Sequence, residues 1–162
     1  MEKLSVRVPA GVDDGMKIRH QGKGDLGDPG GAPGDLYVTI HVGQHEFFHR
    51  DGTNVLTTIP IGYAMACLGG ELTVTTIDGE ERLTVPAGTP SGKVFNMRGK
   101  GIPSLSSGSK GDHLVQVVVA VPTTLSDRER ELIRELAQIQ NDKVSDKDNK
   151  GFFKEFFERL TR

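Results

Sequence analysis

The chain has 162 residues, with 20 basic and 22 acidic side chains and a formal net charge of −2. This balance argues against a broad cationic face for nucleic acid or for an anionic membrane surface. No apolar run is long enough to cross a bilayer. The single cysteine, Cys67, excludes an internal disulfide and a multi-cysteine zinc site, and it fits a reducing, cytoplasmic compartment. Its apolar neighbours predict that Cys67 is buried.

Apolar residues at every second position predict half-buried strands in two places near the start of the chain. They are Leu4, Val6 and Val8 in the first segment, and Leu36, Val38, Ile40 and Val42 in the second. Between the two, Gly22-Lys23-Gly24 begins a Gly-x-Gly-x-x-Gly spacing that is typical of dinucleotide-binding loops. Such a loop must open a helix, and Asp28-Pro29-Gly30-Gly31 follows instead. We therefore expect hairpin loops and no bound nucleotide.

Three histidines at a spacing of four, His41, His45 and His49, would align on a helix and could then hold a metal ion. The segment is not expected to be helical, because Gly43 interrupts it and Asp51-Gly52 follows it. Histidines exposed to solvent or placed in turns are the favoured interpretation, with a metal site as the alternative. We find no grouping of residues that indicates catalysis, and the chain is not expected to be an enzyme.

The middle of the chain contains a further set of short elements. Tyr63 to Leu68, closed by Gly69-Gly70, predicts one short helix with a glycine stop. The segments 72–74 and 83–85 flank Asp78-Gly79, a dipeptide suited to a tight hairpin. Alternating valines from Val115 to Val121 predict another strand.

A repeat relates the two halves of this β region. Val8-Pro9-Ala10-Gly11 recurs as Val85-Pro86-Ala87-Gly88, at an offset of 77, and 12 of the 35 positions aligned between 6–40 and 83–117 are identical. The identities concentrate at turn residues, which indicates a duplicated structural unit. The fold class predicted is mainly β, with two tandem small antiparallel β-sandwich domains, 1–43 and 44–122, and short helices. The first domain is predicted to be incomplete, because only three residues precede Leu4.

The C-terminal part is predicted to be helical. Ser126-Asp127-Arg128-Glu129 is a capping box, which predicts a helix within 123–140 that packs on the second sandwich. Residues 141–150 are polar and predict a linker. The segment 151–162 is predicted to be a helix that forms a homodimer, with folding back onto its own domain as the alternative. Its apolar stripe consists of Phe152, Phe153, Phe156, Phe157 and Leu160.

Taken together, these motifs resemble the C-terminal region of the DnaJ family of bacterial co-chaperones. The resemblance covers essentially the whole chain and rests on five stretches and the terminal Phe-rich segment. The stretches are the two Val-Pro-Ala-Gly units, Phe48-His49-Arg50-Asp51-Gly52, Ala66-Cys67-Leu68-Gly69-Gly70-Glu71 and Met97-Arg98-Gly99-Lys100-Gly101. The resemblance implies that the two sandwiches bind unfolded polypeptides and that the C-terminal segment dimerises. It also implies a partnership with the seventy-kilodalton heat-shock chaperone DnaK.

The resemblance also implies a client-binding pocket on the first domain. Leu4 and Phe48 fall at its positions, with Val6 as a neighbour, whereas Leu4 and Val6 as plain core residues are the alternative. The chain lacks the His-Pro-Asp motif of the J domain and the Cys-x-x-Cys repeats of the family's zinc insert. We therefore expect no cofactor, no zinc, and no stimulation of the partner ATPase. The alternative function is a tandem β-sandwich adaptor that binds one specific folded partner.

Overall fold

The computed structural model describes residues 3–25, 27 and 31–144, and in these residues it has the predicted mainly β fold. The chain divides into two compact units, Met1–Val121 and Pro122–Arg162. All the described strands lie in the first unit. They are β1 (Lys17–His20), β2 (Leu36–Thr39), β3 (His49–Asp51), β4 (Asn54–Gly62), β5 (Gly70–Thr76), β6 (Gly79–Val85), β7 (Val94–Met97) and β8 (His113–Ala120).

The strands of the first unit form three sheets. β1 and β2 form a two-stranded sheet, β5 and β6 form a second, and the third is four-stranded with the order β3-β4-β8-β7. Four of the five pairings are antiparallel, as predicted, but β4 and β8 are parallel over eight residue pairs. The prediction of wholly antiparallel sandwiches is wrong at this pair. Alternation specifies which face of a strand is buried, whereas it does not specify the direction of a partner that is distant in sequence.

The core of the second repeat lies between two of these sheets. Ile61 on β4 and Val117 on β8 are buried against Val85 on β6, with Phe95 on β7 packed at the side. Val74 and Val115 are also fully buried. β5 and β6 form a hairpin, as predicted, but the two residues that join them are Ile77 and Asp78, and Gly79 already pairs with Thr76. The described part of the second repeat is thus a small β-sandwich.

The repeat seen in the sequence is present in the strand pairing. The pairs Lys17↔Thr39 and Ile18↔Val38 of β1 and β2 correspond, at the offset of 77, to Val94↔Gln116 and Phe95↔Val115 of β7 and β8. The loops before these strands also correspond. Gly15 N donates to the carbonyl of Ile40 at 2.9 Å, and Gly92 N donates to that of Val117 at 2.7 Å. The predicted duplication is confirmed at this level, whereas a domain boundary between residues 43 and 44 stays a prediction.

The strand predicted at Leu4, Val6 and Val8 is not formed. Residues 3–9 have no regular secondary structure, and no backbone hydrogen bond joins them to another part of the described chain. Their counterpart in the repeat is β6, whose strand partner is β5. A strand needs a partner for its backbone groups, and alternation alone does not supply one.

The two helices in the described part of the chain begin and end where the sequence predicts. α1 (Tyr63–Leu68) is closed by Gly69, whose N–H donates to the carbonyl of Met65. Ala66 is the buried residue of α1, whereas Cys67 is exposed, so the prediction of a buried cysteine is wrong. A six-residue helix has one inward face, and Cys67 lies next to it rather than on it.

α2 (Asp127–Gln140) lies in the second compact unit and has the predicted capping box. The Ser126 hydroxyl accepts from the Glu129 N–H, and the Glu129 carboxylate accepts from the Ser126 N–H at 2.7 Å. The Ser126 hydroxyl also donates to the Glu129 carboxylate at 2.6 Å, and this bond, together with the one from the Ser126 N–H, lowers the pKa of that carboxyl. The packing of this helix on the sandwich stays a prediction. The linker 141–150 is described only as far as Val144, and the segment 151–162 lies outside the described residues.

Candidate functional site

The segment that carries Leu4 and Val6 is open to solvent. Leu4 is 38% exposed and Val8 is 48% exposed, whereas Val6 is half-buried. A leucine placed as plain core would have nearly all of its surface removed from water. The exposure leaves an apolar side chain available for contact with another molecule, and the pocket role of Leu4 stays a prediction.

Phe48 lies just before β3 and is half-buried. Its ring meets the imidazole of His113 edge-on, with centroids 5.9 Å apart, and it lies 4.8 Å from the ring of His45. An aromatic ring held between two other rings has little freedom to reorient. Its neighbour Phe47 is 66% exposed, so these two adjacent phenylalanines have different surroundings.

His45 closes the turn that carries both phenylalanines. Its Nδ1 accepts hydrogen bonds from the backbone N–H groups of Phe47 at 3.1 Å and Phe48 at 3.3 Å. His41 faces Asp14 instead, with His41 Nδ1 3.6 Å from the carboxylate, and both side chains are mostly exposed. Among the described residues there is no group of three or more His, Cys, Asp or Glu side chains that could hold a metal ion.

His113, which no sequence motif indicated, packs against the ring of Phe48. It is fully buried at the start of β8, and its Nε2 lies 2.8 Å from the Thr57 hydroxyl. Its Nδ1 has no hydrogen-bond partner among the residues that the structure describes. Burial lowers the pKa of His113, because the protonated imidazole would lose its hydration. No sequence pattern could identify it, since its contacts are 56 and 65 residues away in the chain.

Arg50 connects the two parts of the chain to which the predicted pocket residues belong. It lies on β3, two residues after Phe48, and its guanidinium donates to the carbonyls of Gly11 and Val12 and to the carboxylate of Asp13. Residues 11–13 continue the segment that carries Leu4 and Val6. The Arg50 side chain thus joins the segment that follows Leu4 and Val6 to the strand that follows Phe48.

Among the described residues, the four-stranded sheet has two edge strands. β3 forms one edge of the four-stranded sheet and β7 forms the other. An edge strand presents main-chain donors and acceptors that an extended peptide can pair with, whatever its sequence. Val94 on β7 is 46% exposed, so this edge also carries an apolar side chain.

None of the described helices is both long enough and apolar enough to span a membrane.

Comparison with known proteins identifies the family. The model of the DnaJ C terminal domain matches residues 1–122. The chain belongs to this family. It is also 44% identical over 160 residues to a Chaperone protein DnaJ from Brevibacillus choshinensis. That alignment covers 99% of this chain and 42% of the relative, so the chain spans less than half the length of the curated DnaJ that it matches.

Proposed function

We propose that this chain is the client-binding and dimerising part of a DnaJ-type co-chaperone. It binds unfolded or non-native polypeptides, forms a homodimer and assists the seventy-kilodalton heat-shock chaperone DnaK in protein folding and in the response to heat stress. The observation that carries the proposal is the exposed Leu4 in a DnaJ C-terminal domain. Catalysis has no part in this function, and we place the protein in the cytoplasm.

The chemistry of client binding follows from two features. Leu4, Val6 and Phe48 provide apolar contacts for one bulky side chain of the client, and each buried CH₂ group contributes about 0.8 kcal/mol. Edge strands such as β3 and β7 provide main-chain hydrogen bonds that do not depend on the client sequence. Together these contacts select extended chains with exposed apolar residues, which is the state that distinguishes an unfolded protein from a folded one.

The client test compares two adjacent phenylalanines and one leucine. We expect Leu4→Glu and Phe48→Glu to weaken the binding of a fluorescent, permanently unfolded client about tenfold or more, because each places a charge against an apolar side chain. The control is Phe47→Glu, which changes a residue that is 66% exposed. Circular dichroism must show that each variant is folded. Client binding by Leu4→Glu and Phe48→Glu equal to that of the wild type would remove these residues from the pocket. If the chain bound one folded protein saturably and bound no unfolded client, the alternative function as a tandem β-sandwich adaptor would be favoured.

Dimerisation is proposed from the sequence of the tail, since 151–162 lies outside the described residues. Burying the Phe-rich stripe against a second copy would remove several hundred square ångströms of apolar surface, worth about 25 cal/mol per Å² before the cost of association. We expect a dimer in the micromolar range or tighter. Deletion of 151–162 should give a monomer by sedimentation, and Lys154→Ala, a change between the apolar positions, should leave the dimer intact. A truncated chain that still dimerises would place the interface elsewhere.

The chain is proposed to act without zinc or a bound nucleotide. The glycine spacing at Gly22-Lys23-Gly24 lies in a loop between the antiparallel strands β1 and β2, which is unlike the strand-to-helix turn that binds a pyrophosphate. Metal analysis of tag-free protein tests the first part. Stoichiometric zinc would contradict it and would direct attention to His41, His45 and His49.

A further inference from the structure

All three nitrogen atoms of the Arg50 guanidinium donate hydrogen bonds, and the two terminal ones hold two parts of the chain together. Nε donates to the carbonyl of Gly52 at 2.9 Å, within its own turn. One terminal nitrogen donates to the carbonyl of Val12 at 2.7 Å, and the other donates to the carbonyl of Gly11 at 3.2 Å and to the Asp13 carboxylate. A planar group with donors in fixed directions can satisfy four acceptors at once, which a lysine ammonium cannot do in the same geometry.

The segment that Arg50 holds is packed closely on its other side. Val12 is buried, and a Cβ atom added at Gly11, whose φ is 86°, would overlap the carbonyl oxygen of Pro103. Gly11 is therefore confined between the Pro103 carbonyl and the Arg50 guanidinium. Such close approach allows few alternative positions for this part of the chain.

The second repeat holds the same turn in another way. Gly88 and Thr89, which correspond to Gly11 and Val12, donate their backbone N–H groups to the carbonyls of Cys67 and Ala66 in α1, at 3.1 and 3.0 Å. In the first repeat it is the carbonyls of Gly11 and Val12 that are bound, and they accept from a side chain, the Arg50 guanidinium.

We propose that Arg50 is a positioning residue that sets the place of the Leu4–Val8 segment relative to Phe48, and thereby the shape of the client pocket. This inference rests on the proposed function. Residues 3–9 have no backbone pairing in the described chain, so the attachment at 11–13 is the nearest fixed point that follows them. Phe48 is two residues from Arg50 and is fixed by His113. One side chain thus links the two halves of the pocket.

The attachment is tested without a client, by hydrogen exchange. Arg50→Lys keeps the charge and loses the fork of donors, and Arg50→Gln loses both. We expect backbone exchange in residues 10–16 to accelerate about tenfold or more in both variants, because hydrogen bonds to a charged group are lost. Exchange in β5 and β6 should not change. The control is Arg82→Gln, at an exposed ion pair with Glu71 of 3.6 Å. Exchange in 10–16 that stays at the wild-type rate in Arg50→Gln would overturn the proposal.

The consequence for binding is tested with the same unfolded client. Both Arg50 variants should bind it about tenfold more weakly, whereas a variant that only loses stability would bind normally at a temperature where it is folded. Arg82→Gln should bind like the wild type. If the Arg50 variants exchanged faster in 10–16 but bound the client with unchanged affinity, Arg50 would have no role in shaping the pocket. A wild-type chain that binds no client would instead overturn the proposed function, while the exchange result would still decide whether Arg50 holds the segment.

Discussion

The two Gly-Lys-Gly loops have the same hydrogen bonds in different surroundings. Gly22 N donates to Asp35 Oδ1 and Gly99 N donates to Asp112 Oδ1, both at 2.9 Å. Gly24 N donates to the carbonyl of Gly34 at 2.7 Å, and the equivalent bond from Gly101 to Gly111 is 2.8 Å. The loop geometry is therefore a property of the loop residues themselves, because it forms in both places.

What differs is how much of the protein surrounds each loop. In the second repeat, Ile102 N donates to the carbonyl of Thr53 and Val55 N donates to that of Asp112, so the turn between β3 and β4 covers the loop. Val115 is fully buried in β8, whereas its counterpart Val38 in β2 is only half-buried. Local residues thus fix the turn, and burial depends on elements elsewhere in the chain.

The largest difference is expected for one pair of equivalent glycines. A Cβ at Gly111 would overlap the backbone of Thr53, whereas at Gly34 the nearest atom, the carbonyl oxygen of Asp25, is 3.6 Å away. Neither glycine has a positive φ, so space alone decides. We expect Gly111→Ala to cost about 2 kcal/mol or more of unfolding free energy, and Gly34→Ala to change it by less than about 0.5 kcal/mol. Urea denaturation measures both, and equal costs would contradict the comparison.

A second difference is the residue at the start of the equivalent strands, which is His113 in β8 and Leu36 in β2. The pKa of His113 is lowered from 6.5, so between the folded and unfolded values the unfolded chain binds more protons. The part of the folding stability that depends on neutral His113 is then fully present above pH 6.5, and it falls as the pH drops below that value. Each unit by which the pKa is lowered corresponds to about 1.4 kcal/mol.

Removing His113 should remove this pH dependence. The double variant His113→Leu/Thr57→Val also replaces the hydroxyl that would otherwise lose its partner. We expect its thermal midpoint to change less with pH below 6.5 than that of the wild type. His49→Leu, at an exposed residue of β3, is the control and should keep the wild-type profile. A double variant whose midpoint still falls in the same range would assign the effect to another group.

The local elements were the ones that the sequence could predict. The helix at Tyr63–Leu68 and the capping box at Ser126 depend on residues within one or two turns, and both are present as predicted. The repeat predicted that the two halves correspond, and β1 and β2 do pair in the same register as β7 and β8. The sequence did not predict the strands β1 and β7 themselves.

The contacts that shape the candidate site could not be predicted in this way. The parallel pairing of β4 with β8 joins strands that are about 60 residues apart, and alternation says nothing about it. Arg50 binds mainly backbone carbonyls, which any sequence provides, so no partner pattern exists to be found. The strand predicted at Leu4 does not form, because a strand depends on a partner and not on its own residues alone.

The smallest expected effects concern the two loop aspartates, Asp35 and Asp112. The backbone bonds from Gly22 and Gly99, respectively, are the largest cause that lowers the pKa of each. Because the folded pKa lies below the ordinary value of 3.8, each carboxylate stabilises the fold above pH 3.8, and this contribution is lost as the pH falls through the folded pKa. Asp35→Asn and Asp112→Asn should each lower the thermal midpoint slightly at neutral pH and match the wild type in strong acid.

Salt should separate the two aspartates, because their second partners differ. Asp35 also pairs with the Arg19 guanidinium at 2.6 Å, whereas Asp112 accepts from the neutral amide of Asn96 at 2.9 Å. Dissolved ions screen a partly exposed charge pair and leave a bond to a neutral donor nearly unchanged. The effect of Asp35→Asn should therefore shrink in about 1 M salt, and that of Asp112→Asn should persist. Thermal melts at low and high salt measure this, and an equal salt response would mean that the shared backbone bond outweighs the charge of Arg19.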